Sequence, residues 1–219
     1  MRFLPGTARR PDAGFSLAQY RQRAARYDLE LALFEPWRAA TIARLELRRG
    51  DTVVDVGCGT GLSFVRLADA VGPRGQVVGI EPCPEMLAQA RARVARHGWR
   101  HVALMQASAA EAPLQRGADA LLFHFTHDVM RDADALGHVI AHARPGARVA
   151  ACGLQWAPPW MVASNAFVLA AALYSTSSLE GLERPWDLLA QRLQDLQVTT
   201  AWTGGIYIAS GRVARAPAH

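Results

Sequence analysis

A short run of glycines follows a β-branched segment and could bring the main chain close to a bound ligand. The run reads Val-Val-Asp-Val-Gly-Cys-Gly-Thr-Gly over residues 53–61. Glycine lets a backbone approach a ligand closely, and a helix that starts after the glycines adds partial positive charge at its N-terminus. The pattern therefore predicts a nucleotide-type ligand beside Gly57, Gly59 and Gly61.

Two details narrow the chemistry of this ligand. The spacing is Gly57-x-Gly59-x-Gly61, which differs from the G-x-G-x-x-G of dinucleotide-binding enzymes. Asp55 stands two residues before the first glycine, where its carboxylate would repel a pyrophosphate but would suit an amino-acid ammonium group. S-adenosylmethionine carries such a group and has no phosphate, so these residues favour it over a dinucleotide.

Two further residues near the glycines could take part in chemistry. Glu81 ends the next predicted strand, where a carboxylate can accept hydrogen bonds from both hydroxyls of a ribose. The alternative for Glu81 is a carboxylate that complements the dipole of the following helix. Cys58 could be a nucleophile, but a small residue that fits a crowded turn is the favoured interpretation.

A pair of histidines follows the fourth predicted strand, in the run His124-Phe-Thr-His127-Asp128. Open parallel sheets bind ligands beyond the carboxyl ends of their strands. A neutral imidazole there could take a proton from a phenol, a hydroxyl or an ammonium group. We predict His127 as this base and His124 as a neighbour of the methionine end of the cofactor. The alternative is that Thr126 or Asp128 caps the next helix and His127 is an exposed first-turn residue.

Strands and helices alternate from about residue 50, and this alternation must position these side chains. The predicted strands are 52–56, 76–80, 102–106, 118–123 and 147–153, and the predicted helices between them are 62–71, 84–97 and 128–143. Such alternation implies a parallel sheet covered by helices on both faces. Two last strands, 198–203 and 205–210, flank Gly204-Gly205 and predict an antiparallel hairpin at the sheet edge.

The flanking segments complete a prediction of one domain over residues 1–219. Residues 17–27 and 29–45 are predicted to be helical, as are 184–196 and part of 154–176. The predicted organisation is a helical lid over 1–49, a cofactor-binding core over 50–153, a helical acceptor-side insertion over 154–196, and a terminal hairpin and tail over 197–219.

Residues 53–61 and the run Val78-Gly-Ile-Glu81-Pro-Cys-Pro-Glu-Met86-Leu resemble the first and second motifs of class I S-adenosylmethionine-dependent methyltransferases. The resemblance implies an α/β fold with a Rossmann-like, doubly wound, seven-stranded sheet whose last strand is antiparallel. It also implies roles for individual residues toward S-adenosylmethionine. Gly57, Gly59 and Gly61 would approach the methionine moiety, Asp55 its amino end, Glu81 the ribose, and Pro82 with Met86 the adenine faces.

Three other positions are compared with the family. Its third motif usually places an acidic residue against the adenine amino group, whereas this chain has Ala107-Ser108-Ala109, where Ser108 could accept the same hydrogen bond.

Tyr27 lies about one helix before the glycines, where many small-molecule methyltransferases carry a tyrosine that folds over the cofactor. The alternative is that Tyr27 packs between lid helices. No Asn/Asp-Pro-Pro-Tyr motif follows strand four, which disfavours methylation of a nucleobase or a glutamine amide.

Aromatic residues after strand five suggest the nature of the methyl acceptor. They could roof a pocket for a hydrophobic or aromatic molecule, or fill a helical core or a dimer contact. The group consists of Trp156, Trp160, Met161, Phe167, Tyr174 and Trp186. The predicted function is methyl transfer to an oxygen, nitrogen or carbon atom of a small, fairly apolar molecule, as in ubiquinone- and menaquinone-type methyltransferases. The alternative is a cofactor-binding protein without transfer activity that acts as a regulatory or assembly partner.

Composition excludes several other classes. All 24 basic residues are arginines spread along the chain, so the net charge of +5 does not predict a nucleic-acid partner. The absence of lysine rules out the Tyr-x-x-x-Lys pair of many reductases and is typical of a GC-rich bacterium. Three cysteines predict reduced thiols in a cytoplasm rather than disulfides or a metal site. No apolar run has the length of a membrane span, and no signal peptide is predicted.

Overall fold

The computed structural model describes residues 32–175 and 178–214. Tyr27 and the helix predicted over 17–27 lie outside these described residues. The strands are β1 Thr52–Val56, β2 Gln76–Ile80, β3 Val102–Met105, β4 Ala118–His124, β5 Ala143–Leu154, β6 Leu193–Ala201 and β7 Ile206–Val213. The α-helices are α1 Glu35–Ala43, α2 Phe64–Val71, α3 Pro84–His97, α4 His127–Met130, α5 Ala133–His142, α6 Val162–Ser175 and α7 Asp187–Ala190, with short 3₁₀ turns at Ala32–Phe34 and Trp202–Gly204.

The seven strands form one sheet in the order β3-β2-β1-β4-β5-β7-β6. The first five strands are mutually parallel, and β7 runs antiparallel to both β5 and β6. The predicted doubly wound, seven-stranded α/β sheet with an antiparallel last strand is therefore confirmed. The strand order reverses between β1 and β4, and ligands of open α/β sheets bind at such a reversal.

Apolar side chains cover both faces of the sheet. On one face, α2 and α3 contribute buried residues such as Phe64, Leu67 and Leu87. On the other face, α5 contributes Leu136 and Val139. Because the helix after β1 and the helix after β4 lie on opposite faces, the carboxyl ends of these two strands are left open between them.

Helix α1 lies against the sheet near β5 and β7. Pro36 stands in its first turn, where the missing N–H is tolerated. Its buried residues, Arg38, Thr41 and Ile42, recur at the i, i+3, i+4 spacing of a single helix face. The Arg38 guanidinium therefore lies in the interior of the protein.

Two predicted helices differ from the structure. The helix predicted over 128–143 is divided into α4 and α5, because Asp132 Oδ1 accepts hydrogen bonds from the N–H groups of Asp134 and Ala135 and so starts a new helix. The helix predicted over 184–196 was wrong beyond Asp187–Ala190. The chain from Leu193 onward instead pairs with β7 as a strand, with a bulge between Gln194 and Gln197.

The predicted antiparallel hairpin at the sheet edge is confirmed, although its connection differs. Trp202, Thr203 and Gly204 form a 3₁₀ turn with positive φ at all three residues, in place of a two-residue Gly204-Gly205 turn. Within residues 32–175 and 178–214, no helix combines the length and apolar character needed to cross a membrane.

Candidate functional site

The glycine loop joins β1 to α2 at the open edge of the sheet. Gly57, Gly59 and Gly61 have φ of 68°, 56° and 77°, which is the left-handed region that side chains rarely adopt. A Cβ at Gly57 would lie 2.5 Å from Cγ2 of Thr126, and one at Gly61 would lie 2.5 Å from the Phe64 ring. The backbone conformation therefore favours glycine at all three positions, and the close contacts also exclude a side chain at Gly57 and Gly61.

Glu81 is directly attached to this loop. Its carboxylate accepts hydrogen bonds from Gly59 N at 3.0 Å and from Cys83 N at 2.8 Å, and only 7% of the residue is exposed. Burial raises the pKa of Glu81, while these two N–H groups act to lower it. A carboxylate has about four lone-pair sites, so two remain for hydroxyl donors such as those of a ribose.

Cys58 fills space inside the loop. A Cβ at Gly79 would lie 2.8 Å from the Cys58 sulfur, which shows how closely the thiol packs against β2. Burial, followed by the nearby carboxylates of Asp55 and Glu81, raises the pKa of the Cys58 thiol well above its usual value. A neutral buried thiol is a poor nucleophile, so the structure favours the space-filling interpretation.

Three neighbouring strands place polar side chains next to a buried cation that the sequence had not indicated. Asp55 lies on β1, His124 ends β4, and Cys152 pairs with His124 from β5. The Arg38 guanidinium on α1 acts electrostatically on all three groups. The signal that could have revealed Arg38 is its place on the same helix face as Thr41 and Ile42.

Within the part of the chain that the structure describes, several buried polar atoms of this cluster have no hydrogen-bond partner. They are Asp55 Oδ2, Arg38 Nε, His124 Nε2 and Thr126 Oγ1. More than nine in ten buried polar groups in proteins are paired, so four neighbouring exceptions indicate a place for a polar ligand. The set combines an acidic group with a cation, as the ammonium and carboxylate of an amino-acid moiety require. The cluster therefore fits the methionine end of S-adenosylmethionine.

Burial also changes the acidity of Asp55. The residue is 1% exposed, and burial raises the pKa of its carboxyl from 3.8 to about 7. The Arg38 cation opposes this rise, whereas the Glu81 carboxylate adds to it. A cationic partner for Asp55 would restore the ionised form.

The two predicted histidines occupy different environments. Burial, with the Arg38 cation, lowers the pKa of His124 well below its usual value, so this imidazole is neutral. His127 Nε2 lies 3.1 Å from the carbonyl oxygen of Glu180. Because a carbonyl only accepts, Nε2 carries the hydrogen and Nδ1 is left as an acceptor. Burial also lowers the pKa of His127, although the Glu180 contact and Asp128 act to raise it.

Phe125 connects the two histidines through a strained backbone. Its φ is 57°, in the left-handed region, and its N–H donates to the Cys152 carbonyl at 2.8 Å. This turn directs His124 toward the Arg38 cluster, whereas His127 lies against Glu180. His124 thus shares the electrostatic environment of Arg38 with Asp55, and the His127 ring contacts the Glu180 carbonyl.

The remaining predicted cofactor residues follow β2 and β3. Met86 is fully buried at the start of α3 and Pro82 is exposed just before it. The Ser108 hydroxyl donates to Glu111 Oε2 at 3.0 Å, which leaves its lone pairs free to accept, and Ala109 beside it is buried. Glu111 was not anticipated, although it places a carboxylate next to the position where the family usually has one.

An aromatic cluster adjoins the polar one. The Phe125 ring lies 4.8 Å from His124 and 5.0 Å from Phe34, and the Phe34 ring lies 6.3 Å from Phe167. Phe167 in turn contacts Trp202 edge-on at 4.3 Å. These rings form a continuous apolar wall from His124 to helix α6.

Some aromatic residues predicted to roof an acceptor pocket lie elsewhere. Trp156 packs with this cluster, but Trp186 contacts Tyr207 at 5.3 Å and belongs to the core on the opposite face of the sheet. The Tyr174 side chain lies outside the described residues. Trp186 is displaced because residues 193–196 join the sheet rather than extend a helix.

No metal site is formed among the side chains of residues 32–175 and 178–214, where no three or more His, Cys, Asp or Glu groups cluster suitably. Cys58, Cys83 and Cys152 are free and buried.

Comparison with known proteins agrees with this geometry. Residues 53–146 match the family described as "Methyltransferase domain". The chain is 36% identical over 77 residues to a demethylmenaquinone methyltransferase of Anoxybacillus flavithermus, which covers 35% of this chain and 32% of that protein. It is 40% identical over 67 residues to a protein-L-isoaspartate O-methyltransferase of Ignicoccus hospitalis, covering 31% of this chain and 32% of the relative. The chain thus matches about a third of the length of these relatives.

Solved structures share the fold over nearly the whole chain. The N-methyltransferase NodS from Bradyrhizobium japonicum, in complex with S-adenosyl-L-homocysteine, has a TM-score of 0.67 at 14% identity, with 91% of this chain and 99% of that one covered. A SAM-dependent methyltransferase from Aquifex aeolicus has a TM-score of 0.60 at 19% identity, with 90% and 98% covered. Residues 53–146 therefore match a methyltransferase domain, and nearly the whole chain shares the fold of these solved methyltransferase structures.

Proposed function

We propose that this protein transfers a methyl group from S-adenosylmethionine to an oxygen, nitrogen or carbon atom of a small, fairly apolar or aromatic molecule. The observation that carries the proposal is the group of buried, unpartnered polar atoms between the glycine loop and the aromatic wall. One side of that group suits an amino-acid moiety, and the other side suits an apolar acceptor. Both substrates would therefore meet near His124.

The Arg38–Asp55 pair would hold the methionine end of the cofactor. Asp55 Oδ2 would accept from the ammonium group, and Arg38 Nε would donate to the carboxylate. Glu35 accepts a hydrogen bond from Arg38 Nη1, which orients the guanidinium while leaving Nε unpartnered. A charge-assisted hydrogen bond contributes about 1.5–3 kcal/mol, so each contact would change affinity by about tenfold or more.

The nucleoside end would be bound by residues around the loop and the next two strands. Glu81 would accept from the ribose hydroxyls through the lone pairs that Gly59 and Cys83 leave free. The proposed cofactor-binding set consists of Tyr27, Asp55, Gly57, Cys58, Gly59, Gly61, Glu81, Pro82, Met86, Ser108, Ala109 and His124, to which the structure adds Arg38.

When bound, S-adenosylmethionine supplies an electrophilic methyl group on a sulfonium, and the chain supplies orientation and exclusion of water. His124 would stay neutral beside the methionine end, since burial and Arg38 both oppose its protonation. His127 would accept the proton of the acceptor at Nδ1, because the contact of its Nε2 with Glu180 leaves only Nδ1 as an acceptor.

The acceptor class is proposed from the aromatic wall. Phe125 and Phe34 offer ring faces and edges beside His124, and such surfaces favour flat, apolar molecules. The two curated relatives bear names with different acceptors, although each matches a similar third of this chain. The portion of the chain that matches these relatives therefore supports the proposed cofactor. We expect the acceptor to be selected by residues outside that portion.

Two measurements on the same purified protein test the proposal. Calorimetry with S-adenosylmethionine and 5′-methylthioadenosine, which lacks the amino-acid moiety, should show micromolar binding of the first. Arg38→Met should weaken the first ligand about tenfold or more and leave the second unchanged. Labelled cofactor offered with extract of the source organism should then label a small organic-soluble molecule.

Each outcome bears on a separate part of the proposal. Equal weakening of both ligands by Arg38→Met would refute the carboxylate assignment. Transfer of label only to protein or nucleic acid would refute the small-molecule acceptor. Cofactor binding without any transfer would favour the alternative of a regulatory or assembly partner.

We also propose that the protein works in a reducing compartment such as the cytoplasm. Cys58, Cys83 and Cys152 are free and buried in the structure. Free thiols are the usual state of cysteine where glutathione and thioredoxin keep it reduced. Mass measurement after alkylation of protein unfolded in its native redox state should find three free thiols.

A further inference from the structure

Helix α6 presents an apolar face to the outside of the molecule. Its sequence, VASNAFVLAAALYS, contains no charged residue. Ser164, Val168 and Ala172 are buried on its inner side, whereas Val162 is 72% and Leu173 is 61% exposed on its outer side. A helix that is apolar all round is normally covered on both sides.

The exposed residues form an ordered stripe rather than scattered positions. Val162, Ala166, Leu169 and Leu173 are spaced by four, three and four residues, the spacing at which one helix packs along another. The alanines at 163, 166 and 170 are exposed too and allow the close approach of a second helix. Trp160, just before the helix, is 78% exposed beside the stripe.

The size of this patch makes it unusual for a free surface. Trp160, Val162, Leu169 and Leu173 together expose on the order of 400 Å² of apolar surface, at the scale where patches on monomers are commonly functional. This is about half of the surface that each partner buries in a standard interface. The rest of that area would come from residues that surround the stripe.

The absence of charge on α6 distinguishes between a membrane and a second copy of this chain as the partner of its outer face. Helices that lie on membranes carry basic residues at their polar border, but α6 has none, although the whole chain carries 24 arginines. A two-fold axis would place the stripe against its own copy, so an uncharged stripe meets no like charge there. Because the stripe is uncharged and has no basic border, a second copy of this chain fits it better than a membrane surface does.

We propose that the outer face of α6 is an isologous dimer interface, in which the stripe Val162, Ala166, Leu169 and Leu173 packs antiparallel against the stripe of a second copy. This inference does not rest on methyl transfer. The inner side of α6 packs with Phe34 and Phe125, so the contact would brace the aromatic wall beside His124.

Sedimentation velocity across the micromolar range tests the interface. The protein should sediment as a dimer, and Leu173→Glu should weaken dimerisation by at least about a hundredfold, because the symmetric contact buries two unpaired carboxylates. Val65→Glu is the matched control, since Val65 is an exposed apolar residue on α2 and its replacement should leave the dimer intact. Unchanged binding of S-adenosylmethionine to both variants would show that they are folded.

Three results would overturn the proposal. One is a monomer throughout the concentration range, which would mean that the stripe does not pair with a second copy. Another is a dimer that Leu173→Glu leaves unchanged, which would place the contact elsewhere. A third is a monomer that binds vesicles of phosphatidylcholine and phosphatidylglycerol in a Leu173-dependent way, which would identify a lipid-docking face.

Discussion

Replacing Asp55 by asparagine should change cofactor affinity and stability in opposite directions. The side chain is almost fully buried, and its Oδ2 has no partner within the described part of the chain. Asparagine has nearly the same shape but cannot form an ionic hydrogen bond with an ammonium group. At neutral pH, we expect Asp55→Asn to weaken binding of S-adenosylmethionine by about 10- to 100-fold, the loss of one charge-assisted hydrogen bond.

The effect on stability follows from the raised pKa of Asp55. In the folded protein without cofactor this pKa rises from 3.8 to about 7, mainly because of burial. The folded state therefore holds a proton that the unfolded state releases, so stability falls as pH rises from about 4 to about 7 and is level above that. Three pKa units correspond to about 4 kcal/mol, and the neutral asparagine should recover up to this amount.

Thermal unfolding and calorimetry at several pH values measure both effects. Without cofactor, Asp55→Asn should unfold at a higher temperature than the unmodified protein at about pH 8, and the difference should shrink toward pH 4. Affinity of the unmodified protein for S-adenosylmethionine should rise with pH up to about 7, because the ammonium group selects ionised Asp55. It should fall again above about pH 8, where an α-amino group loses its proton.

The control variant is Asp69→Asn, which changes an exposed carboxylate on α2. It should alter neither the pH profile nor the affinity. The reasoning fails if Asp55→Asn retains the rise of affinity below about pH 7. It also fails if this variant is less stable than the unmodified protein at about pH 8, since that would mean Asp55 has a partner that compensates its charge.

Three other changes give distinct expectations. Glu81→Gln should weaken S-adenosylmethionine and 5′-methylthioadenosine alike by about tenfold, because an amide oxygen cannot serve Gly59 N, Cys83 N and a ribose together; calorimetry with both ligands checks this, and an effect on only one ligand would contradict it. His127→Gln should lower kcat by about a hundredfold or more without changing cofactor affinity; full turnover in a labelled-methyl assay would mean that positioning alone suffices. Asp132→Ala should destabilise the protein by about 1 kcal/mol, since its Oδ1 caps α5 through two N–H groups, and chemical denaturation with the exposed Asp69→Ala as control would measure the difference.

Much of the fold could be predicted because local patterns and packing agree. The strands β1, β2 and β4 are short apolar runs that end at glycines or polar residues, and α2 and α3 carry clear apolar stripes. The predictions that were wrong concern segments whose local sequence pattern suits either a helix or a strand. Leu189, Leu193 and Leu196 suit a helix, but the pairing of Leu193–Ala201 with β7 decides the outcome.

The glycine loop, Asp55 and Glu81 were identified from the sequence because a ligand-binding turn needs particular residue types at fixed separations within one short segment. The link between Glu81 and the loop, through Gly59 N, joins neighbouring strands that the alternation already predicted. Arg38 and Phe34, in contrast, lie outside any motif. Their importance depends on the way α1 packs over β5 and β7.

The sequence by itself thus determined the cofactor family and the succession of the central strands along the chain, since both depend on short-range spacing and on apolar periodicity. Only the tertiary structure decided which side chains meet between distant segments. It placed Arg38 within electrostatic reach of Asp55 and His124, set the His127 ring against the Glu180 carbonyl, and positioned Trp186 against Tyr207 on the opposite face of the sheet. The physical reason is that burial and charge pairing depend on contacts between residues far apart in the chain, and a linear pattern does not contain those contacts.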